Sequence, residues 1–190
     1  MSLNLQIIIA STRPGRVGPS VAEWFHEAAS KHGAFATSLV DLDCFKLPLY
    51  DEPKHPRFRD YQYDHTRKWS ASVAAADAYV FVVPEYNFGP PPALVNALNY
   101  VYAEWNYKPA GIVSYGGVSA GLRSAQALKL LLTALRMMPL PEGVGIPNFV
   151  QFMDAEKRFQ PNDLVASGAK LMLDELLRWG GPLKQMRSSA

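Results

Sequence analysis

The sequence predicts an open, doubly wound α/β domain built on a parallel sheet. Two observations carry this. Short apolar runs alternate with longer amphipathic stretches along the whole chain, and such alternation implies right-handed crossovers between parallel strands. The apolar runs themselves show no polar–apolar alternation, as expected of strands covered by helices on both faces. The length of 190 residues fits one domain spanning the chain, with 48% apolar and 19% charged residues arguing against disorder.

Each element has its own signal. Leu5 to Ala10, with three consecutive isoleucines, predicts the first strand; Phe35 to Leu42, Ala78 to Val83 and Ala110 to Ser114 predict the next three, and Val144 to Ile146 a weaker fifth. Val21, Trp24, Phe25 and Ala28 recur at helical spacing, as do Ala125, Leu128, Leu132 and Leu135. A further helix is expected from Ala93 to Val101. The last apolar stripe, Val165, Ala169, Met172, Leu173 and Leu176, is expected to start near Asn162-Asp163 and to stop at Gly180-Gly181-Pro182. Ser188-Ser189-Ala190 reads as a frayed tail. One segment breaks the rhythm: residues 43–67 contain Pro48, Pro53, Pro56 and five aromatics, and read as a long excursion packed at a site mouth or on a partner subunit.

Composition excludes several functions. With 19 basic and 17 acidic residues the formal charge is +2, which is no footprint for nucleic acid or an anionic membrane. No apolar run approaches a membrane span, and Met1-Ser2-Leu3-Asn4 lacks the basic start of a signal peptide, so a cytoplasmic protein is expected. Cys44 is the single cysteine, which rules out an internal disulfide, and it reads as a small, partly buried residue.

Ligands of open α/β sheets sit beyond the carboxyl ends of the strands, and three strand-following loops are chemically unusual. The first, Ser11-Thr12-Arg13-Pro14-Gly15-Arg16-Val17-Gly18-Pro19-Ser20, opens a helix with hydroxyls, glycines and free N–H groups, an anion site. Arg13 and Arg16 oppose the helix dipole there and make sense around a phosphate, although a plain turn with solvated arginines is the bland alternative. Neither a Gly-Lys-Ser/Thr nor a Gly-x-Gly-x-x-Gly motif is present, so a monophosphate fits best. The second loop, Pro84-Glu85-Tyr86-Asn87-Phe88-Gly89-Pro90-Pro91-Pro92, joins rigid prolines to aromatic faces and polar edges, which suits a planar heteroaromatic ligand or, more simply, loop packing. In the third, Ser114-Tyr115-Gly116-Gly117-Val118-Ser119-Ala120-Gly121, glycines permit close backbone approach. In the flavodoxin-like strand order 2-1-3-4-5 all three loops converge on one crevice.

Ala10-Ser-Thr-Arg-Pro-Gly-Arg, Pro84-Glu85-Tyr86-Asn87 with Asn96-Ala97, and Ser114-Tyr115-Gly116-Gly117 together resemble the NADPH-dependent FMN reductase family across roughly residues 5–180. The resemblance implies a flavodoxin-like fold and bound FMN. It also implies hydride transfer from NADPH or NADH, in a ping-pong scheme, to a small-molecule electron acceptor such as a quinone, chromate, an azo dye or free flavin. Ser11, Arg13, Gly18 and Ser20, within a loop that includes Thr12, would hold the phosphate. Pro84, Glu85, Tyr86 and Asn87 would line the isoalloxazine, and Ser114, Gly116 and Gly117 would contact its pyrimidine side. No side-chain acid or base is required, because the flavin carries the redox chemistry. A homodimer or homotetramer is expected, with the 43–67 excursion and the aromatics Tyr100, Tyr102, Trp105 and Tyr107 forming an interface beside the crevice.

Three rivals are weaker. A non-enzymatic, flavodoxin-type electron carrier would show one-sided charge, which +2 does not supply. Gly117-Val118-Ser119-Ala120-Gly121 matches the nucleophile elbow of hydrolases, but every histidine (26, 32, 55, 65) precedes Ser119, on the wrong side for that triad. Those histidines show no metal-ligand spacing. Arg57, Arg59, Arg67 and Lys68 read either as a solvated basic rim or as a seat for a nicotinamide phosphate.

Overall fold

Five strands form one parallel sheet: β1 (Leu3–Ile9), β2 (Phe35–Asp41), β3 (Ala78–Pro84), β4 (Pro109–Tyr115) and β5 (Met138–Ile146), in the order β2-β1-β3-β4-β5. The computed structural model describes residues 2–188, so Ser189 and Ala190 of the expected tail lie outside the described residues. The helices are α1 (Gly18–His32), α2 (Asp64–Ala74), α3 (Pro92–Tyr100), α4 (Leu122–Ala134) and α5 (Asp163–Ser188).

The unalternating apolar runs are explained by two cores, one on each face. Ile7 and Ile9 of β1, with Val80 and Val82 of β3, pack under α1 and α5 against Val21, Phe25, Met172 and Leu176. Ile8, Tyr79, Phe81 and Val83 point the other way, into Trp69, Leu94, Trp105, Leu128 and Leu132. Successive residues of a strand face opposite sides, so a strand buried on both must be apolar throughout. All seven residues of β3 and of β4 are buried, whereas the edge strand β2 buries only Phe35 and Val40.

The structure departs from the expectations in five places. The fifth strand begins at Met138, six residues before Val144, and carries Pro139 and Pro141; an edge strand tolerates prolines because one side of its backbone needs no donor. The last helix does not stop at Gly180-Gly181-Pro182 but runs through Pro182 to Ser188. Tertiary contacts outweigh the proline. Gly180 lies against Leu3, so closely that an added Cβ would come 2.5 Å from Leu3 Cδ1, and beyond it Lys184 and Arg187 both reach Asp77.

The 43–67 excursion is shorter than expected, because residues 64–67 form the first turn of α2. The rest is tied down. Asn96 Nδ2 and the Tyr100 hydroxyl donate to the Pro48 carbonyl, and Glu52 accepts from the N–H groups of Gln62 and Tyr63 at the start of α2. The aromatic strip is not an exposed surface either. Tyr100 and Trp105 are fully buried in the second core, leaving only Tyr102 and Tyr107 partly outside. Cys44 is exposed, not partly buried.

Candidate active site

The loops after β1, β3 and β4 meet at one end of the sheet around a cavity of ≈ 530 Å³, a volume in the range of small-molecule and cofactor sites. Arg13, Arg16 and Val17 form one wall and Pro84, Glu85, Tyr86 and Asn87 another. Tyr115, Gly116, Gly117 and Phe149 complete it.

The first wall is rich in unpaired donors. Helix α1 starts after Val17, which offers no capping side chain, so its first N–H groups are left for another partner. Between Ser11 and Gly18 the only backbone bond donated is from Arg16 N to the Arg13 carbonyl, at 3.2 Å; among the described residues the N–H groups of Thr12, Arg13, Gly15, Val17 and Gly18 have no acceptor. Uncapped N–H groups at a positive helix end attract a phosphate. Ser11 is fully buried beneath the loop and accepts a 3.5 Å bond from the Tyr115 hydroxyl, whose pKa burial pushes up to about 12. Gly18 is fixed by close approach: a Cβ there would lie 2.5 Å from Ser11 Oγ and 3.0 Å from the Tyr115 hydroxyl.

The two arginines differ. Arg16 donates to both carboxylate oxygens of Asp41, at 2.8 and 2.6 Å, and to the Ser11 carbonyl. Its charge is answered by Asp41, so the dipole argument for a phosphate beside Arg16 falls away. Arg13 is exposed at the cavity wall with no carboxylate partner among the described residues.

The second wall is held from below. Pro84 O accepts from the buried Ser124 hydroxyl at 2.9 Å, and Glu85 N donates to the Tyr115 carbonyl at 3.3 Å. Tyr86 and Gly89 exchange both backbone bonds, at 2.9 and 3.0 Å, around Asn87 (φ 49°) and Phe88 (φ 70°), a turn of type I′. The Glu85 carboxylate takes Arg123 Nε at 2.6 Å, Arg123 N at 3.2 Å and the Ser119 hydroxyl at 3.2 Å. The bond from Arg123 is the main reason its pKa lies below the ordinary carboxylate value. Ser119 thus pairs with a carboxylate and with Arg123 Nη2 at 2.9 Å. The four histidines are bonded elsewhere, to Thr37, Asp174, the Arg57 N–H and Asp51.

In the third loop Gly116 N donates to the Ile146 carbonyl, while a Cβ on Gly117 would meet nothing within 4 Å, leaving that face open to a ligand. Gly121 (φ 73°) returns the chain so closely that a Cβ would sit 2.8 Å from the Tyr115 backbone.

The expected residues do not all face the cavity. Arg13, Pro84, Glu85, Tyr86, Asn87, Gly116 and Gly117 line it, and Ser11 and Gly18 pack together beneath the first loop. Thr12 lines a separate cavity of ≈ 310 Å³ with Leu42 and Asn96. Ser20 accepts from Phe159 N at 2.8 Å, and the buried Ser114 hydroxyl donates to the Ala120 carbonyl at 2.8 Å, so both side chains brace loops. Arg57, Arg59, Arg67 and Lys68 are absent from the cavity wall. Phe149 was not foreseen. It follows β5, and the one available signal was that this too is a loop at a strand's carboxyl end.

The family of NADPH-dependent FMN reductases matches residues 3–151 of this chain. The chain belongs to that family. An NAD(P)H-dependent FMN reductase of Schizosaccharomyces pombe is 40% identical over 137 residues, 71% of this chain and 68% of the relative. A quinone reductase of Pseudomonas putida is 28% identical over 155 residues, 73% of this chain and 75% of the relative. Among solved structures, FerB, a flavoenzyme NAD(P)H:(acceptor) oxidoreductase from Paracoccus denitrificans, superposes with a TM-score of 0.73 at 19% identity, covering 94% of this chain and 97% of its own. That likeness concerns the flavodoxin-like fold. Family membership makes the chain an FMN-dependent oxidoreductase that uses NAD(P)H, and the free N–H groups of the first wall and the cavity volume fit that cofactor.

Proposed function

We propose that this protein reduces quinones and related flat two-electron acceptors with NADPH or NADH, using FMN seated in the cavity between the three loops. The observation that carries this reading is the uncapped N-terminus of α1, whose free N–H groups open into the same cavity as the Tyr86 and Gly116-Gly117 loops. Bound FMN would supply the redox chemistry, accepting a hydride from NAD(P)H and donating a hydride to the acceptor, whose remaining proton would come from solvent.

The chain's own part is binding and orientation. Ser11 and the free N–H groups of Thr12, Arg13, Gly15, Val17 and Gly18 hold the phosphate, with Arg13 covering it as the uncompensated cation. Pro84 to Asn87 fix one edge of the ring system, and Gly116 and Gly117 allow the backbone to approach the other. Glu85 is committed to Arg123, so it acts as a strut for the third loop and not as a proton donor. Self-association into a homodimer or homotetramer belongs to the same proposal. Val118, Leu122 and Val150 support it, since they leave apolar side chains 87%, 53% and 68% exposed in the loops around the cavity. The exposed thiol of Cys44 suits the reducing cytoplasm.

The test is a two-step anaerobic mixing experiment on the FMN-loaded protein. NADPH is expected to bleach the flavin absorbance within one turnover, and a naphthoquinone added afterwards to restore it. A flavin that NADPH leaves oxidised would make the protein an electron carrier.

A further inference from the structure

Phe88 occupies a place that flavin binding does not explain. It is the second central residue of the type I′ turn, at φ 70°, where glycine is favoured and a bulky side chain is an outlier. Asn87, the first central residue, suits its left-handed backbone far better. An outlier of this kind persists where the surroundings enforce it, and such outliers concentrate at ligand sites.

Burial does not enforce this one, because Phe88 is 66% exposed and belongs to neither core. Arg123 does. Its guanidinium carbon lies 3.9 Å from the ring centroid, and it is itself pinned by Glu85 and by the Ser119 hydroxyl. One face of the ring is thereby covered by a fixed cation and the other is left open. Asn87 and Glu85, the neighbour of the ring and the anchor of its cation, both line the cavity. A braced, largely exposed apolar ring next to residues that line a cavity is suited to stacking on another flat ring.

We propose that Phe88 is the stacking platform for the planar ring of the second substrate, and that Arg123 is its positioning residue. The inference rests on the flavin reading of the cavity. Nicotinamide and quinone rings share the chemistry the platform recognises, and separate arms of the experiment distinguish them.

The experiment compares the FMN-loaded wild-type chain with Phe88→Gly, Phe88→Leu and Phe88→Trp, varying NADPH and a naphthoquinone in turn, with ferricyanide as an acceptor that has no ring to stack. Glycine suits the turn, so the thermal midpoint of Phe88→Gly is expected not to fall; Phe88→Leu keeps apolar bulk without an aromatic face should the glycine variant fold poorly. The platform predicts that KM rises about tenfold for whichever substrate stacks, the scale of one lost aromatic contact. If that substrate is the quinone, the ratio of quinone to ferricyanide kcat/KM falls by a similar factor. If it is the nicotinamide, the rise is in the KM for NADPH. Phe88→Trp is expected to restore the affected KM.

Values within twofold of wild type for both substrates would overturn the proposal. So would a drop to monomer mass in light scattering of Phe88→Gly, since the ring would then belong to a subunit contact. A wild-type chain that fails to bind FMN would instead overturn the flavin reading itself.

Discussion

The two ends of the sheet differ in what they leave free. At the amino ends of the strands, the buried charges of Asp77, Lys108 and Glu104 each have partners within the fold. Asp77, only 7% exposed, takes the Asn4 N–H at 3.0 Å, Lys184 Nζ at 2.7 Å and Arg187 Nη2 at 3.0 Å. Lys108 is buried against the end of α2, donating to the carbonyls of Val73 and Ala74 and to the Tyr79 hydroxyl at 2.9, 3.3 and 3.1 Å. Nearby, Glu104 accepts from Tyr61 and Ser70. At the carboxyl ends, α1 starts without a cap, five N–H groups of the first loop have no acceptor and Arg13 no counter-ion among the described residues, and Phe88 is held in a left-handed backbone. Unsatisfied donors are costly in a folded protein, so uncapped N–H groups beside a cavity are what a ligand site requires, while the ion pairs of the other end hold the fold together.

The contrast can be broken most severely from the stable end. Asp77→Ala leaves Lys184 and Arg187 without their carboxylate, and should cost about 3 kcal/mol in urea unfolding with FMN affinity unchanged. Acid reports the same contact. Burial pushes the Asp77 carboxyl up, but the bonds from Lys184 and Asn4 and the charge of Arg187 outweigh it, so its pKa lies below the usual carboxylate value. Its contribution is therefore complete above the ordinary carboxylate range and is lost as pH falls through the lowered value.

At the ligand end, Arg13→Ala should weaken FMN by about 1.5–3 kcal/mol, the loss of a charge-assisted phosphate contact, and leave urea unfolding of the ligand-free protein unchanged. An unaltered FMN affinity would detach Arg13 from the phosphate.

Lys108 gives the smallest and most specific effect. Burial lowers its pKa to about 7. Between that value and the usual lysine range the unfolded chain binds more protons than the folded one, so stability rises with pH. From pH 8.5 to 9.5 the rise should amount to about 1.3 kcal/mol, and Lys108→Met should flatten it. A flat wild-type profile would show that this ammonium is better solvated than its burial implies.

How far the chain was readable follows the same division. The strands were legible because Ile7-Ile8-Ile9 and Val80 to Val83 must satisfy two cores at once, a demand written into consecutive residues. Helix α2 was not, since it buries only Thr66, Trp69 and Val73 among polar neighbours, too narrow a stripe for a periodicity. The end of α5 was misread because its continuation depends on Leu3 and Asp77, more than a hundred residues away. At the site, the hydroxyls, glycines and free N–H groups of the first loop could be read from local chemistry alone. The assignment of Arg16 to Asp41, and of Glu85 to Arg123, could not, because each pair is brought together only by the sheet. Ser20 and Ser114 look like ligands in a list of hydroxyls and act as braces in three dimensions.

The central claim is that α1 opens on a phosphate carried by a flavin. Titrating ligand-free protein into FMN and, separately, into riboflavin, with quenching of flavin fluorescence as the signal, tests it most directly. Saturable FMN binding with riboflavin at least tenfold weaker is the expected result, because riboflavin lacks only the phosphate. Equal binding of the two would contradict the role of the α1 N-terminus, and binding of neither would contradict the flavin site as a whole.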